Sequence, residues 1–295
     1  VIHINTPFST NDFRSLETLD LPQTIKTWLA KAQEHEKVML DPNMSLEKKY
    51  EYIESKSSCW QSKKLMKWLL GLSHNKCWYS EAKFAGDSAE LEHWRPKKRT
   101  NDLQRNKIHD GYYWLAFNLT NYRITKGRLN RVKGNYFPLV NEQFRSQNDS
   151  MPHTAEKPLF LDPISPMDYQ CLSFNELGEA IANSGVVIPK SEEKAKLTIK
   201  HFGLNSSCLV LERKTLWTVV RQQYHEYIKC LHMASNGCPV SELKAETHAN
   251  EILYLVHESS AFSSTAKAAL RTLGEAAATA FANSSGKPRI IKKAA

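Results

Sequence analysis

Residues 89–99 read AELEHWRPKKR. A carboxylate, Glu92, directly precedes an imidazole, His93. A bulky Trp94 follows, then Arg95, Pro96, Lys97, Lys98 and Arg99. Two readings of this stretch compete. One is a solvated basic loop. The other is a site in which an acid, a general base and a knot of positive charge act together on a phosphodiester. The rest of the chain decides between them.

The distribution of charge bears on the choice. The 295 residues carry a net charge of +9. From His93 to Gly134 there are eleven Lys/Arg (95, 97, 98, 99, 105, 107, 123, 126, 128, 131, 133) against Asp102 and Asp110, so this window alone accounts for the whole excess. Clustered Lys/Arg attract phosphates and release counterions on binding, so a polyanion partner is the natural reading. At 41% hydrophobic and 24% charged the composition is globular, with length for a sizeable core. No run of about 18 apolar residues predicts a membrane span, and the opening VIHINTPF lacks a secretory pattern. Six cysteines (59, 77, 171, 208, 230, 238) form no CxxC pair. That argues for reduced thiols in a cytoplasm rather than a disulfide framework.

The apolar periodicity predicts helices on both flanks. Leu21, Ile25, Trp28 and Leu29 recur at helical spacing, and further helices are expected near 45–55 and 63–72, the last ended by Gly71. Residues 77–140 are short-patterned, aromatic and basic. Residues 160–190 are strand-like or irregular. Helices are expected at 191–204, 206–234, 241–257 and 262–282, and the tail SSGKPRIIKKAA is expected to be loosely held. In the long run 206–234 the predicted stripe is Leu209, Leu216, Val220, Tyr224, Tyr227 and Leu231.

Downstream of Glu92-His93 lies GYYWLAFNLTNYRITKGRLNRVKGNYFPL, residues 111–139. Tyr122–Thr125 alternates like a strand, Gly127 permits a turn, and Arg128–Lys133 suits a short helix closed by Gly134. Asn130 and Lys133 share a face of that helix. The outline is strand, long loop, strand, helix.

The Glu-His pair with Asn121 and Asn130 resembles the motif of HNH endonucleases, which have a ββα-metal fold. The stretches CWYSEAK, ELEHWRPKK, GYYWLAFNLTNYRI, NRVKGNYFPL, EKPLFLDP and HFGLNSSCLVLERK, with the opening Ile2-His3-Ile4-Asn5, resemble one branch of that family. This branch includes the nuclease partner of the ATPase in Septu-type and retron-associated anti-phage systems. The resemblance covers roughly residues 1–5 and 76–215. It implies an α+β, mainly helical fold, with a small HNH core at 76–165 embedded between helical regions at 1–75 and 166–295. It implies a nuclease, DNA being the favoured substrate, with an ATPase partner and no membrane association. Cleavage of RNA, or an inactive module that only docks nucleic acid or a partner, are the alternatives.

The resemblance also assigns roles. His93 is the general base, for which an imidazole near neutrality is suited, and Asn121 braces the loop that carries it. Glu92 and Asn130 hold one Mg²⁺ or Mn²⁺, a hard ion that needs few protein oxygens. Arg95, Lys97, Lys98, Arg99, Arg131 and Lys133 are candidate nucleic-acid contacts. Tyr112, Tyr113, Trp114 and Phe117 are read as core, and Asp162-Pro163 as a turn. One departure stands out. Many relatives carry two CxxC pairs that cage a structural zinc. The corresponding positions here read Cys77-Trp-Tyr-Ser80 and Lys126-Gly-Arg-Leu129, so no zinc is expected and packing by Trp78, Tyr79 and Leu129 is expected instead.

Overall fold

A computed structural model describes residues 2–9, 16, 19–86, 88–102, 104–151 and 153–285; most of the tail therefore lies outside the described residues. The described residues are mainly helical, with three small two-stranded sheets among them. Helix α1 spans Gln23–Met39 and buries Ile25, Trp28, Leu29, Ala32 and Met39, a stripe at helical spacing. Helix α2 spans Leu46–Ser55, and the Ser45 side chain caps it by accepting from the Lys48 N–H. Helix α3, Lys63–Leu72, buries Leu65 and Leu69. Gly71 lies within its last turn. The chain leaves the helix at His74 and Asn75, whose φ values are 53° and 58°.

Strand β1 (Ala89–His93) pairs antiparallel with β4 (Tyr122–Lys126), placing Glu92 opposite Arg123 and His93 opposite Tyr122. The connection between them holds β2 (Thr100–Asn101) and β3 (Lys107–His109). Helix α4, Gly127–Lys133, starts directly from β4 and is closed by Gly134 at φ 53°. Gly127 is thus the first helical residue rather than a turn. A Cβ there would lie 2.2 Å from Oε1 of Glu90, so its glycine is a matter of close approach. Beyond this unit, β5 (Leu172–Phe174) and β6 (Ala180–Ala182) form a hairpin. Helices α5 (Ser191–His201), α6 (Ser207–Ser235) and α7 (Pro239–Val256) follow. The run expected as one helix from 262 to 282 is two, α8 (Ser263–Arg271) and α9 (Ala276–Asn283), separated where Gly274 takes φ 71°. In α6 the buried stripe passes through Leu209, Arg213, Trp217, Val220 and Tyr224, and Leu231 lies outside it, 42% exposed.

One apolar core runs from Ile4 to Ala282 through all three sequence regions. Trp28 of α1 meets Tyr122 of β4 edge-on at 6.0 Å, and Trp60 meets His93 at 5.1 Å. Tyr79 stacks on Phe202 at 4.0 Å, and Phe160 meets Phe202 at 5.5 Å. Trp78, Tyr79 and Leu129 are buried around Cys77, whose Sγ lies 3.8 Å from Oγ1 of Thr125 and accepts from the Ser80 N–H. Tyr112, Trp114 and Phe117 are also interior, and Tyr113 is half-buried. No described helix is long and apolar enough to cross a membrane.

Burial leaves the carboxyl of Glu36 poorly served. Oε1 of Glu36 on α1 is enclosed without a hydrogen-bond partner, and burial pushes this carboxyl up to about 7, against an opposing hydrogen bond with Asn118. A carboxyl raised in the folded state binds more protons folded than unfolded between about pH 4.5 and 7. The stability it contributes is therefore full at low pH and is lost as pH rises through 7, by roughly 3 kcal/mol. Glu36→Gln should match wild type near pH 5 and exceed it at pH 8 by roughly 1–3 kcal/mol. Urea unfolding at the two pH values checks this; an identical pH dependence in both proteins would refute it.

Candidate active site

The β1–β4–α4 unit carries the residues singled out in the sequence. Because β1 alternates faces, Glu90 and Glu92 project together toward α4, and His93 turns toward Trp60 and Tyr122. A cleft of about 400 Å³ opens here, walled by Glu92, His93, Lys97, Lys98, Asn130 and Arg131, with Glu54 from α2 and Asn135 at its rim. A larger cleft of about 770 Å³ beside β5 and α8 is lined by Lys267 and Arg271 but by no carboxylate, imidazole or thiol among the described residues, so it offers no acid–base pair.

The histidine is set in a defined tautomer. His93 Nε2 lies 2.9 Å from the carbonyl oxygen of Ala116. A carbonyl only accepts, so Nε2 carries the hydrogen and Nδ1 keeps its lone pair. Burial, aided by the positive charge of Lys97, holds this imidazole well below the ordinary histidine range. The neutral ring is thus favoured at neutral pH.

Asn121 fixes the segment that leaves β1. Its Oδ1 accepts the Arg95 N–H at 2.7 Å, and its Nδ2 donates to the carbonyls of Arg95 (3.0 Å) and Leu115 (3.2 Å). Its own carbonyl accepts the Trp94 N–H at 2.8 Å. One side chain therefore ties the start of the long connection to the stretch that supplies the carbonyl of Ala116.

The candidate phosphate contacts divide into two groups. Arg95 and Lys133 are not at the surface. Arg95 is buried, with Nε on Oε2 of Glu156 at 2.8 Å and its guanidinium over the rings of Phe137 and Tyr112. Lys133 is 1% exposed, and its ammonium donates to Glu92 Oε1 and to the carbonyls of His93 (2.8 Å) and Trp94 (2.9 Å). Burial lowers its pKa, against the pull of Glu92. As folded, neither offers a free donor to a phosphate. Arg123, another member of the basic window, is likewise bidentate on Asp162 at 2.7 Å for both bonds. Glu156 and Asp162, both beyond the window, are the interior counter-charges. The remaining cations are accessible. Lys97 is half-buried over the Trp60 ring at 5.3 Å, Lys98 pairs with Glu54 at 2.6 Å, and Arg99 and Arg131 are exposed.

Oxygen donors dominate the cleft. Among the described residues no group of three or more His, Cys, Asp or Glu is placed to hold a metal ion. Glu92 and Asn130 both face the cleft and would offer a carboxylate and an amide oxygen. Such a sparse, hard donor set fits an ion that keeps most of its waters. Four contributors gave no local signal in the sequence. Glu54 and Asn135 line the cleft from outside the motif, Trp60 packs edge-on against His93, and Glu90 contacts Asn130.

Lys133→Met should leave the buried Glu92 carboxylate unpaired and cost about 3–5 kcal/mol. Arg131→Met, at an exposed pair with Glu90, should change stability by less than about 0.5 kcal/mol. Urea unfolding of both variants under chelation makes the comparison. A loss below 1 kcal/mol for Lys133→Met would show that its ammonium does not hold this corner together.

Searched against protein-family models, the chain matches none. It is similar to the Septu protein PtuB of Bacillus mycoides (strain KBAB4), 32% identical over 143 residues, which make up 48% of this chain and 46% of that protein. The chain thus spans about half the length of the curated relative it matches.

Proposed function

We propose that this chain is a metal-dependent endonuclease of the HNH type that acts in a Septu-type anti-phage system. The observation that carries the proposal is the setting of His93: a buried imidazole whose Nε2 is spent on Ala116, on the wall of a cleft that also presents Glu92, Asn130 and the cations Lys97 and Lys98. The similarity to Septu protein PtuB supports the biological setting. The family resemblance of the motif supports the chemistry and an ATPase partner.

In this reading Nδ1 of His93 takes a proton from water as the water oxygen attacks phosphorus in line with the leaving oxygen. The phosphorus–oxygen bond to that leaving group breaks, and the leaving oxygen is protonated from solvent. A divalent ion bound by Glu92 and Asn130 would neutralise charge developing on the phosphate. Asn121 keeps the His93 loop in register, Lys133 holds the Glu92 carboxylate, and Lys97, Lys98, Arg99 and Arg131 draw the polyanion to the cleft. No structural zinc is required: Trp78, Tyr79 and Leu129 pack the region where relatives carry thiolates.

The decisive assay incubates the protein with plasmid, single-stranded DNA and tRNA, with and without Mg²⁺ or Mn²⁺, alone and with its genomic-neighbour protein. Ion-dependent cleavage is expected. His93→Ala should lower the rate by about a hundredfold to ten-thousandfold with the fold intact, and a variant within tenfold of wild type would remove His93 as the base. Because the folded imidazole is held low, the acid limb of kcat/KM should fall below pH 6.5. Chelation should stop cleavage while leaving the melting curve nearly unchanged; chelator-induced melting with one zinc per chain would overturn the zinc-free reading. Charge reversal at Lys97, Lys98 and Arg99 should lower the log–log salt slope of DNA binding by roughly 0.9 per lost contact. An unaltered slope would make this run a solvated face.

A further inference from the structure

Strand β1 presents a second carboxylate to α4, two residues before Glu92. Glu90 Oε2 lies 3.0 Å from Nδ2 of Asn130, and Glu90 Oε1 lies 3.7 Å from the Arg131 guanidinium. A carboxylate only accepts, so the amide atom facing Glu90 has to be the nitrogen. The amide is planar, with oxygen and nitrogen on opposite corners, so fixing Nδ2 on β1 turns Oδ1 away from β1 while Asn130 stands on the cleft wall. The approach depends on Gly127. A Cβ at that position would sit 2.2 Å from Oε1 and 2.8 Å from Cδ of Glu90. Since Glu90 is the far end of a flexible, partly exposed side chain, such a methyl would displace the carboxylate rather than break the fold.

We infer that Glu90 is a positioning residue: it orients the Asn130 amide so that Oδ1, and not the amide nitrogen, is offered to the divalent ion. Without this acceptor the amide turns freely, and half its orientations aim N–H groups at a cation. Gly127 belongs to the same device, because its missing side chain leaves the carboxylate room beneath α4. Lys133 and Glu90 divide the labour on this face, one holding the carboxylate ligand and the other holding the amide ligand. The inference rests on the ion-binding reading given above.

Mn²⁺ titration calorimetry on the full chain tests it independently of cleavage. Glu90→Ala and Gly127→Ala should each weaken Mn²⁺ binding about tenfold, as expected for the loss of a group that orients a ligand, with the melting temperature little changed. Glu90→Gln keeps an acceptor oxygen and should bind within about twofold of wild type. In an Asn130→Asp background, where a carboxylate has no amide orientation to set, Glu90→Ala should cost nothing further. Wild-type affinity in Glu90→Ala would overturn the inference. So would equal losses for Glu90→Gln and Glu90→Ala, which would mean that the charge itself matters. An undiminished effect in the Asn130→Asp background would do the same. These outcomes in a chain that binds Mn²⁺ and cleaves nucleic acid leave the proposed function standing; a wild-type chain that binds no Mn²⁺ brings down both.

Discussion

A single ammonium organises the centre of this protein. Lys133, at the end of α4, reaches under the strand and binds the Glu92 carboxylate together with the carbonyls of His93 and Trp94. An ammonium has three hydrogens, and all three are used on consecutive residues of the chain. The contact fixes the angle at which α4 leaves β4, and hence where Asn130 stands relative to Glu92. It also satisfies two buried carbonyls just where β1 ends and the long connection begins. The same group compensates the charge of the buried carboxylate. Removing one partner of such a pair is far costlier than the pair's net contribution, because the other charge stays buried.

The same logic recurs outward from this point. Arg123 is bidentate on Asp162, and Arg95 is held by Glu156, whose other oxygen accepts from Tyr112 and from the Ser146 N–H. These pairs stitch the β1–β4 unit to the segment after residue 140. A two-stranded antiparallel pair with one short helix has too little surface to bury for independent stability. Here the flanking helices enclose the unit through Trp28, Trp60 and Phe202, and the buried ion pairs fix its register. The three sequence regions are accordingly parts of one packed core.

Much of this was legible in the sequence where the signal is local. The apolar stripes of α1 and α3, the strand at 122–125, the short helix closed by Gly134 and the long α6 all follow from periodicity and turn chemistry. The mainly helical α+β class follows from them. What was not legible depends on groups distant in sequence. The window count of positive charge is correct as arithmetic. It overstates the surface charge, because the carboxylates that neutralise Arg95 and Arg123 come 61 and 39 residues later. Lys133 looks like any basic residue on an exposed helix until its partner 41 residues earlier is known. Gly127 reads as a turn, since only the approach of Glu90 shows what its missing side chain is for. The break between α8 and α9 was missed because the alanine-rich stretch reads as one helix across Gly274.

The division between spent and available charge gives the cleft its character. Cations that face inward are saturated by carboxylates and carbonyls, so they set geometry and do not compete for a ligand. Cations that face outward are held loosely: Lys98 by a half-exposed pair with Glu54, Lys97 by the face of Trp60, Arg131 by a distant contact with Glu90. Such contacts are weak in water, so an arriving phosphate exchanges them at little cost. The interior, by contrast, cannot rearrange without stranding a charge. In the proposed reading, a rigid corner that fixes an imidazole, a carboxylate and an amide, bordered by lysines and arginines that can change partners, suits a polyanion captured from solution and then held in one orientation. That contrast in how firmly each charge is held follows from burial, and burial is the property that the charge pattern of the sequence does not reveal.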